Sequence, residues 1–291
     1  MIGVAVHRSR SLAACEERAL VLRAVGIVSE IAHEGDSYVL YVPMEYERDA
    51  LDHLNAFTRE NVKPPPRPRP ILHEGASGGV LAYFLVLVAI AWLASIDAFG
   101  QPWFDAGRMQ AGRVADGEVW RTVTALTLHL DVAHLLSNLG FGSLFGYFCG
   151  QLLGPGTAWA AILLGGALGN LANALVQSPA HRAVGASTAV FAALGLLATS
   201  SLRLHMTTGQ SWAYRWGPLI AAVALLGFTG TGGERTDVTA HATGFLAGAL
   251  LGLVATRIDP VVLKSRRLQR VAALAAMTGV VGAWLIAFAA Q

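Results

Sequence analysis

Charged side chains are scarce in this chain of 291 residues. They make up 14% of the sequence, against about 25% in a typical soluble protein, whereas 54% of the residues are hydrophobic. Residues 1–75, about a quarter of the chain, hold 11 of the 19 acidic and 9 of the 21 basic residues. This uneven distribution predicts a soluble N-terminal domain followed by an all-α, polytopic membrane domain.

Other features that the sequence lacks exclude further classes. The net charge is only +2 and no basic run is interleaved with aromatic residues, so the sequence does not indicate nucleic-acid binding. The two cysteines, Cys15 and Cys149, fall in different predicted domains, and we expect them to be small core residues rather than a disulfide. The first long apolar run begins near Gly78, so we expect no N-terminal signal peptide and expect the spans themselves to direct insertion.

Residues 1–62 are predicted to form the soluble domain, on the cytoplasmic side. A strand at 4–6, a helix at 11–25, a strand pair at 27–32 and 38–42 and a helix at 45–61 follow one another. This order is typical of a small α/β domain, either a βααβ-like unit or half of a ferredoxin-like fold. No group of residues in it indicates chemistry, and its partner is unknown. Residues 63–77 are a stiff, proline-rich linker.

Seven apolar stretches follow. They lie at 78–96, 134–153, 157–177, 184–202, 216–230, 238–256 and 271–289. Most approach the ~20 residues that a spanning helix needs, and the fifth is short. We predict a six-helix membrane core at 78–256, then a basic loop and a seventh transmembrane helix at 257–291.

The positive charges that flank these stretches predict the orientation. Eleven lysines and arginines flank one side, and five flank the other side. The side with more positive charge is expected to be cytoplasmic. The N-terminus would then be cytoplasmic and the C-terminus, after seven spans, outside. The bacterial-type organisation favours the cell membrane.

Polar residues cluster at one depth of this predicted bundle. His134 and Asn138 begin span two, Ser187 begins span four and His241 begins span six, and all three spans run from outside to inside. At ~1.5 Å per residue, all four lie within roughly 5–10 Å of the outer helix ends. Polar side chains in a bilayer are costly and usually functional. The pattern therefore predicts a water-accessible site below the outer surface.

Spacing within the helices supports the same site. His134 and Asn138 lie four residues apart and share a face, and Asp131 can cap the helix that carries them. Glycines recur every four residues in spans two and six, as Gly142, Gly146 and Gly150, and as Gly244, Gly248 and Gly252. Such stripes let helices approach closely, so a contact between spans four and six can bring His241 near Ser187.

Four motifs occur along the chain in a familiar order. They are Trp120-Arg121, then His129, His134 and Asn138, then Gly185-Ala186-Ser187-Thr188, then Ala240-His241 followed by Gly244 and Gly248. In this order they resemble the rhomboid intramembrane serine proteases over roughly residues 78–256. The N-terminal domain and the seventh span fall outside that shared core.

The resemblance implies a Ser187–His241 catalytic dyad without an acidic third member. It further implies an oxyanion site made by His134, Asn138 and the backbone N–H of Ser187. Supporting roles fall to Gly185, to Phe191 packed on the dyad histidine, and to Gly244, Gly248, Trp120, Arg121 and His129. The substrates would be transmembrane segments of other proteins in the lipid bilayer, and no cofactor or metal is implied.

Two regions qualify the resemblance. The family most often has glycine after the nucleophile, whereas Thr188 stands here, where it could crowd the oxyanion site. The short fifth span and the loop at 229–233 resemble the family's mobile substrate gate. Asn170, Asn173 and His181 belong to no motif, and we expect packing or water contacts for the two asparagines and a solvated loop position for His181.

Three other functions are compatible with parts of this pattern. The first is a catalytically inactive rhomboid-like protein that binds client membrane proteins, although such proteins usually lack the serine or the histidine. The second is a small transporter, which the absence of paired intramembrane charges and of an inverted repeat disfavours. The third is a metal site of His129, His134 and His241, which no carboxylate or cysteine completes.

Overall fold

The protein divides into two compact units, Met1–Arg67 and Pro68–Gln291, in a computed structural model of the chain. The structure describes residues 3–61, 72–206, 212, 216–217, 220–224, 227 and 237–291. The chain is mostly helical, with one small sheet in the N-terminal unit. The prediction of a polytopic α-helical membrane protein with a small α/β front is confirmed.

The N-terminal unit is a three-stranded antiparallel sheet with two helices. Its elements are β1 (Gly3–Ser9), α1 (Leu12–Ala24), β2 (Glu30–Glu34), β3 (Ser37–Pro43), a 3-10 turn (Met44–Tyr46) and α2 (Glu47–Glu60). The strand order is β1-β3-β2, the split β-α-β arrangement found in ferredoxin-like folds. The βααβ-like alternative is wrong, because β2 and β3 form a hairpin between the two helices.

Apolar residues of the helices and of the central strand form the core of this unit. Leu22 of α1, Leu40 and Val42 of β3, and Leu54 of α2 are buried together. Leu40 and Val42 are two residues apart and therefore point to the same face of the sheet. The free thiol of Cys15 is buried as well, in contact with the Tyr38 carbonyl oxygen at 3.4 Å, so the prediction of a core cysteine is confirmed.

Six long helices lie in the described part of the membrane unit. They are α3 (Ala76–Ser95), α7 (Val132–Leu153), α8 (Pro155–Val176), α9 (Ser187–Met206), α10 (Val238–Ala255) and α12 (Arg266–Ala289). By length and composition, α3, α8, α10 and α12 can each cross a membrane. The helices α7 and α9 are 22 and 20 residues long, and polar residues are spread along both. In the predicted fifth span, residues 216–217, 220–224 and 227 are helical, while its other residues and the loop at 229–233 lie outside the described part.

Short elements fill the connections between these helices. They are 3-10 turns at Ala98–Gly100 and Ala125–Thr127, then α4 (Trp103–Gly107), β4 (Met109–Gln110), α5 (Ala111–Ala115), α6 (Arg121–Thr124), β5 (Arg182–Ala183) and α11 (Pro260–Leu263). Most of them belong to the long loop between α3 and α7. Hydropathy does not signal such short elements, and the sequence did not predict them.

Arg121 holds this long loop together. Its side chain is 1% exposed, and Nη1 donates to the carbonyl oxygens of Asp105 and Arg108, both at 2.9 Å, while Nε pairs with Glu118. Trp120 packs beside it in an aromatic cluster with Trp103 and Trp284. A buried arginine needs such partners because an unpaired charge is costly away from water.

The seventh span, α12, is fastened to the core at both ends. At its start, Gln269 Oε1 accepts from the Gly156 and Thr157 amides at 2.8 and 3.1 Å, and Nε2 donates to the Leu153 carbonyl at 3.1 Å. At its far end, Trp284 Nε1 donates to Thr127 Oγ1 at 3.1 Å. One side chain thus hydrogen-bonds backbone groups at the end of α7 and at the start of α8, which have no partner within their own helices.

Candidate active site

The turn that precedes α9 carries Ser187 at the first position of the helix. Just before it, β5 pairs with β4, and the Gly185 amide donates to the Ala125 carbonyl oxygen at 2.9 Å. Gly185 has φ +130°, a value that residues with a β-carbon rarely adopt. Helix α9 therefore begins at Ser187 and not at residue 184 as hydropathy had suggested.

His134 lies directly against this turn. A β-carbon at residue 185 would lie 2.5 Å from His134 Cε1, 2.7 Å from His134 Nε2 and 3.6 Å from Ser187 Oγ. These distances place the imidazole and the hydroxyl next to one small space, which exists because residue 185 has no side chain. The structure thus brings Gly185, Ser187 and His134 together.

The first turns of α7 orient His134 and Asn138. Asp131 caps the helix, as predicted, by accepting from the His134 amide at 2.8 Å. Asn138 is buried and its Nδ2 donates to the His134 carbonyl oxygen at 3.0 Å. An amide nitrogen carries two hydrogens, so this bond leaves Asn138 with one more N–H to donate.

His129, in the loop before α7, supports the turn at residues 185–187, which is called the nucleophile turn after the role predicted for Ser187. Its Nε2 accepts from the amide of Ala186, the residue before Ser187, at 3.4 Å, and its ring packs on the His134 ring with centroids 5.1 Å apart. Burial, with a smaller contribution from the nearby His134, lowers the pKa of His129 to about 4. The imidazole is therefore neutral near pH 7 and can accept this hydrogen bond.

Helices α9 and α10 touch through their backbones, as the glycine stripe predicted. β-carbons placed at Gly244, Gly248 and Gly252 would collide with the Thr188 carbonyl oxygen, the Ala192 carbonyl oxygen and the Thr199 hydroxyl. A larger residue at any of the three positions would force the helices apart. The contact starts at Thr188, beside Ser187, and continues down both helices.

His241 enters the site from α10, one turn before Gly244. Its side chain is 7% exposed, and its ring packs on the Phe191 ring with centroids 4.4 Å apart. Because Phe191 is one turn after Ser187 and Gly244 contacts Thr188, His241 lies at the level of the nucleophile turn. The predicted packing of Phe191 on the histidine is confirmed.

The methyl group of Thr188 lies in the contact between helices. It is 3% exposed, and its Cγ2 would lie 2.8 Å from a β-carbon at Gly169 of α8 and 2.9 Å from one at Gly244. Two glycines on neighbouring helices thus make room for its methyl group. The expectation that Thr188 could crowd the oxyanion site stays a prediction.

An acidic residue that the sequence analysis overlooked precedes α10. Asp237 caps the helix and also contacts Asn173 and His181, so neither of these two residues is merely a packing or solvated position as expected. Asn170 likewise has a protein partner, the Thr122 carbonyl oxygen at 2.9 Å. An aspartate just before an apolar helix is a recognisable N-cap signal and could have been found.

The site offers the groups for nucleophilic catalysis. The Ser187 hydroxyl and the His134 ring lie beside one small space at Gly185, and buried His241 and Asn138 lie on the adjoining helices α10 and α7. Among the described residues, no group of three or more histidine, cysteine or acidic side chains could hold a metal ion. The roles assigned to the individual residues stay predictions.

Comparisons with known proteins agree with the motif order. Residues 116–258 match the Rhomboid domain family. The chain is 32% identical to RHOMBOID-like protein 5 of Arabidopsis thaliana over 152 residues, which are 51% of this chain and 48% of that protein. It is 28% identical to the putative rhomboid protease YdcA of Bacillus subtilis (strain 168) over 177 residues, 60% of this chain and 87% of YdcA.

A third relative shows how far the similarity extends. The chain is 32% identical to rhomboid protease GluP of Bacillus subtilis (strain 168) over 155 residues, 50% of this chain and 29% of that protein. The chain thus spans about half the length or less of two of these three curated relatives. The matched region contains all four motifs and ends after α10.

Proposed function

The chain belongs to the rhomboid family, and from this premise we propose that it is an intramembrane serine endopeptidase. Its substrates would be membrane proteins, cut in or near a transmembrane segment. The observation that carries the proposal is the glycine-lined contact of α9 with α10. With this contact His241 lies near the level of Ser187, and the Phe191 ring packs against the imidazole in a tilted arrangement.

The proposed reaction uses only groups of this chain. His241 takes the proton of Ser187 Oγ while the oxygen attacks the scissile carbonyl carbon. His241 then donates that proton to the leaving amine, and the acyl group remains bound to Ser187. A water molecule, deprotonated by His241, attacks the acyl carbon, and His241 returns that proton to Ser187 Oγ as the bond to the acyl group breaks and the second product leaves.

Three donors would stabilise the negative charge on the carbonyl oxygen. They are the ring of His134, the remaining N–H of Asn138 and the backbone N–H of Ser187. Removing one donor of such a set typically costs about 100- to 1000-fold in kcat. The hydrogen bonds of Asp131 and His129 support the segments that carry these donors.

The multi-pass chain lies in a membrane, and we propose the orientation that the positive charges predict. The N-terminal unit and the basic segment before α12 would lie in the cytoplasm, with the site nearer the outer surface of the cell membrane. Transmembrane substrates would approach laterally through the bilayer. The role of the N-terminal unit is not assigned.

Cleavage by the purified full chain tests the proposal. The chain is reconstituted in liposomes with a reporter that contains one transmembrane segment, and labelling by a fluorophosphonate probe is measured in parallel. We expect wild type to cleave and to be labelled, and Ser187→Ala and His241→Ala to do neither.

Ser200→Ala is the matched control. Ser200 is buried on the same helix, and its hydroxyl makes no hydrogen bond to a described residue, so its loss should leave cleavage and labelling unchanged. If Ser187→Ala cleaved as well as wild type, the dyad assignment would be wrong. If wild type were neither labelled nor active but still bound the reporter, a non-catalytic binding function would replace the proposal.

A further inference from the structure

One carboxylate joins three segments around the candidate active site. Asp237 Oδ1 accepts from the Ala240 amide at 3.0 Å and so caps α10. Asp237 Oδ2 accepts from Asn173 Nδ2 of α8 at 2.8 Å and from His181 Nε2 at 2.7 Å. An ionised carboxylate can accept several hydrogen bonds at once, so all three fit one side chain.

Each of the three segments carries or supports part of the dyad. Helix α10 holds His241 in its first turn, where the His241 amide donates to the Asp237 carbonyl oxygen at 3.1 Å. His181 is six residues before Ser187, and the His181 carbonyl oxygen accepts from the Ala111 amide at 3.0 Å. It therefore belongs to the segment that leads through β5 into the nucleophile turn.

Helix α8 is the third segment that Asp237 contacts. Asn173 is fully buried, and Gly169, one turn earlier, meets both Gly244 and Thr188. The bond from Asn173 thus places Asp237 relative to the helix on which α9 and α10 both pack. The side chains of His181 and Asp237 are 24% and 18% exposed. This shielding from water is sufficient for the charge-assisted hydrogen bond between them to be held in one geometry.

From these contacts we infer that Asp237 is a positioning residue for the dyad. Its carboxylate sets the start of α10, and through His181 it holds the base helix at a fixed distance from the nucleophile turn. The inference rests on the proposed function and deepens it. Asp237 makes no step of the reaction itself, because it acts through the backbone of α10 and through His181.

The inference separates a capping role from a linking role. Asp237→Ser keeps an oxygen that can cap α10 but cannot reach both Asn173 and His181. We expect this variant to lose on the order of 10- to 100-fold in kcat with little change in KM, because a shift of about 1 Å in the base can cost about 100-fold. His181→Ala should lose a similar factor, and His181→Gln, which can still donate to Asp237, should recover part of it.

Asp259→Ala is the matched control. Asp259 caps the short helix α11 by accepting from the Val261 amide, and it follows the end of α10, whereas His241 lies in the first turn of that helix. Its loss removes a cap without touching the three linked segments, so kcat, KM and probe labelling should remain those of wild type.

The test measures kcat, KM and the rate of Ser187 labelling by a fluorophosphonate for the full chain in liposomes. We expect the Asp237→Ser and His181→Ala losses not to multiply in the double variant, since both break the same link. Wild-type kcat in Asp237→Ser, or fully multiplicative losses, would overturn the inference while labelled wild type still supported the proposed function. A wild type that is not labelled at all would overturn both.

Discussion

Replacing Gly185 by alanine tests the geometry of the site most directly. Residue 185 has φ +130°, and alanine at such a φ is strained by about 1–3 kcal/mol. The new methyl group would also lie 2.5 Å from His134 Cε1 and 2.7 Å from His134 Nε2. The substitution therefore disturbs the turn before the nucleophile and a proposed oxyanion donor together.

The size of the effect follows from these distances. Carbon atoms in contact normally lie about 3.5–4.0 Å apart, so the His134 ring must move by roughly 1 Å to make room. A displacement of that size at a reacting group can cost about 100-fold in rate. Since the donor acts on the transition state more than on the bound substrate, kcat should fall while KM stays nearly constant.

The assay is cleavage of a transmembrane reporter by the full chain in liposomes, with thermal unfolding measured on the same samples. Gly140→Ala is the matched control, because Gly140 lies on α7 with nothing within 4 Å of its β-carbon position. We expect the control to keep wild-type activity and Gly185→Ala to lose about 100-fold in kcat.

A double variant identifies the cause. If Gly185→Ala acts by displacing His134, then combining it with His134→Ala should add little to the loss from His134→Ala alone. An active Gly185→Ala enzyme would refute the placement of His134 against the nucleophile turn. Losses that multiply would show instead that the turn itself is the sensitive element.

Three further predictions concern groups around the site. Trp284→Ala should lower the free energy of unfolding by about 3–5 kcal/mol, since Trp284 fills the space beside Gly107 and donates a hydrogen bond to Thr127. Trp92, on α3, is 62% exposed, so Trp92→Ala should lower it much less in the same melting experiment. Gln269→Ala should lower the free energy of unfolding by about 1–3 kcal/mol. Gln269→Glu, which keeps only the acceptor, should melt between wild type and Gln269→Ala. Protonation of His129 is disfavoured in the fold because its pKa is lowered from 6.5 to about 4, so its contribution to stability is complete above pH 6.5 and is lost as the pH falls towards 4. Melting temperatures measured over that range should fall less in His129→Gln than in wild type, and equal acid sensitivity would contradict the assignment.

Hydropathy was sufficient to locate the helices of the membrane unit. A spanning helix needs a long apolar segment, and six of the seven predicted stretches coincide with α3, α7, α8, α9, α10 and α12. The exact start of α12 was missed by five residues because Ser265 caps it and its first turn is basic. Charged residues at a helix end reduce hydropathy without preventing the helix.

Contacts between distant side chains were harder to predict. The stripe of Gly244 and Gly248 indicated a close helix contact, but it could not show that Gly169 on a third helix makes room for Thr188. Similarly, Asp237, Asn173 and His181 are far apart in sequence and share no periodicity. Such groups become recognisable only when packing brings them to one place.

The bonds of Gln269 also impose an order in time. Gln269 completes the start of α8 across 112 residues of sequence, at Thr157. Chains are made at about 5–20 residues per second, so the Thr157 amide waits roughly 5–20 s for its partner after leaving the ribosome. During that interval the backbone groups at the corner between α7 and α8 must form their hydrogen bonds with water or with another protein. The corner between α7 and α8 therefore reaches its final form only after α12 has been synthesised and inserted.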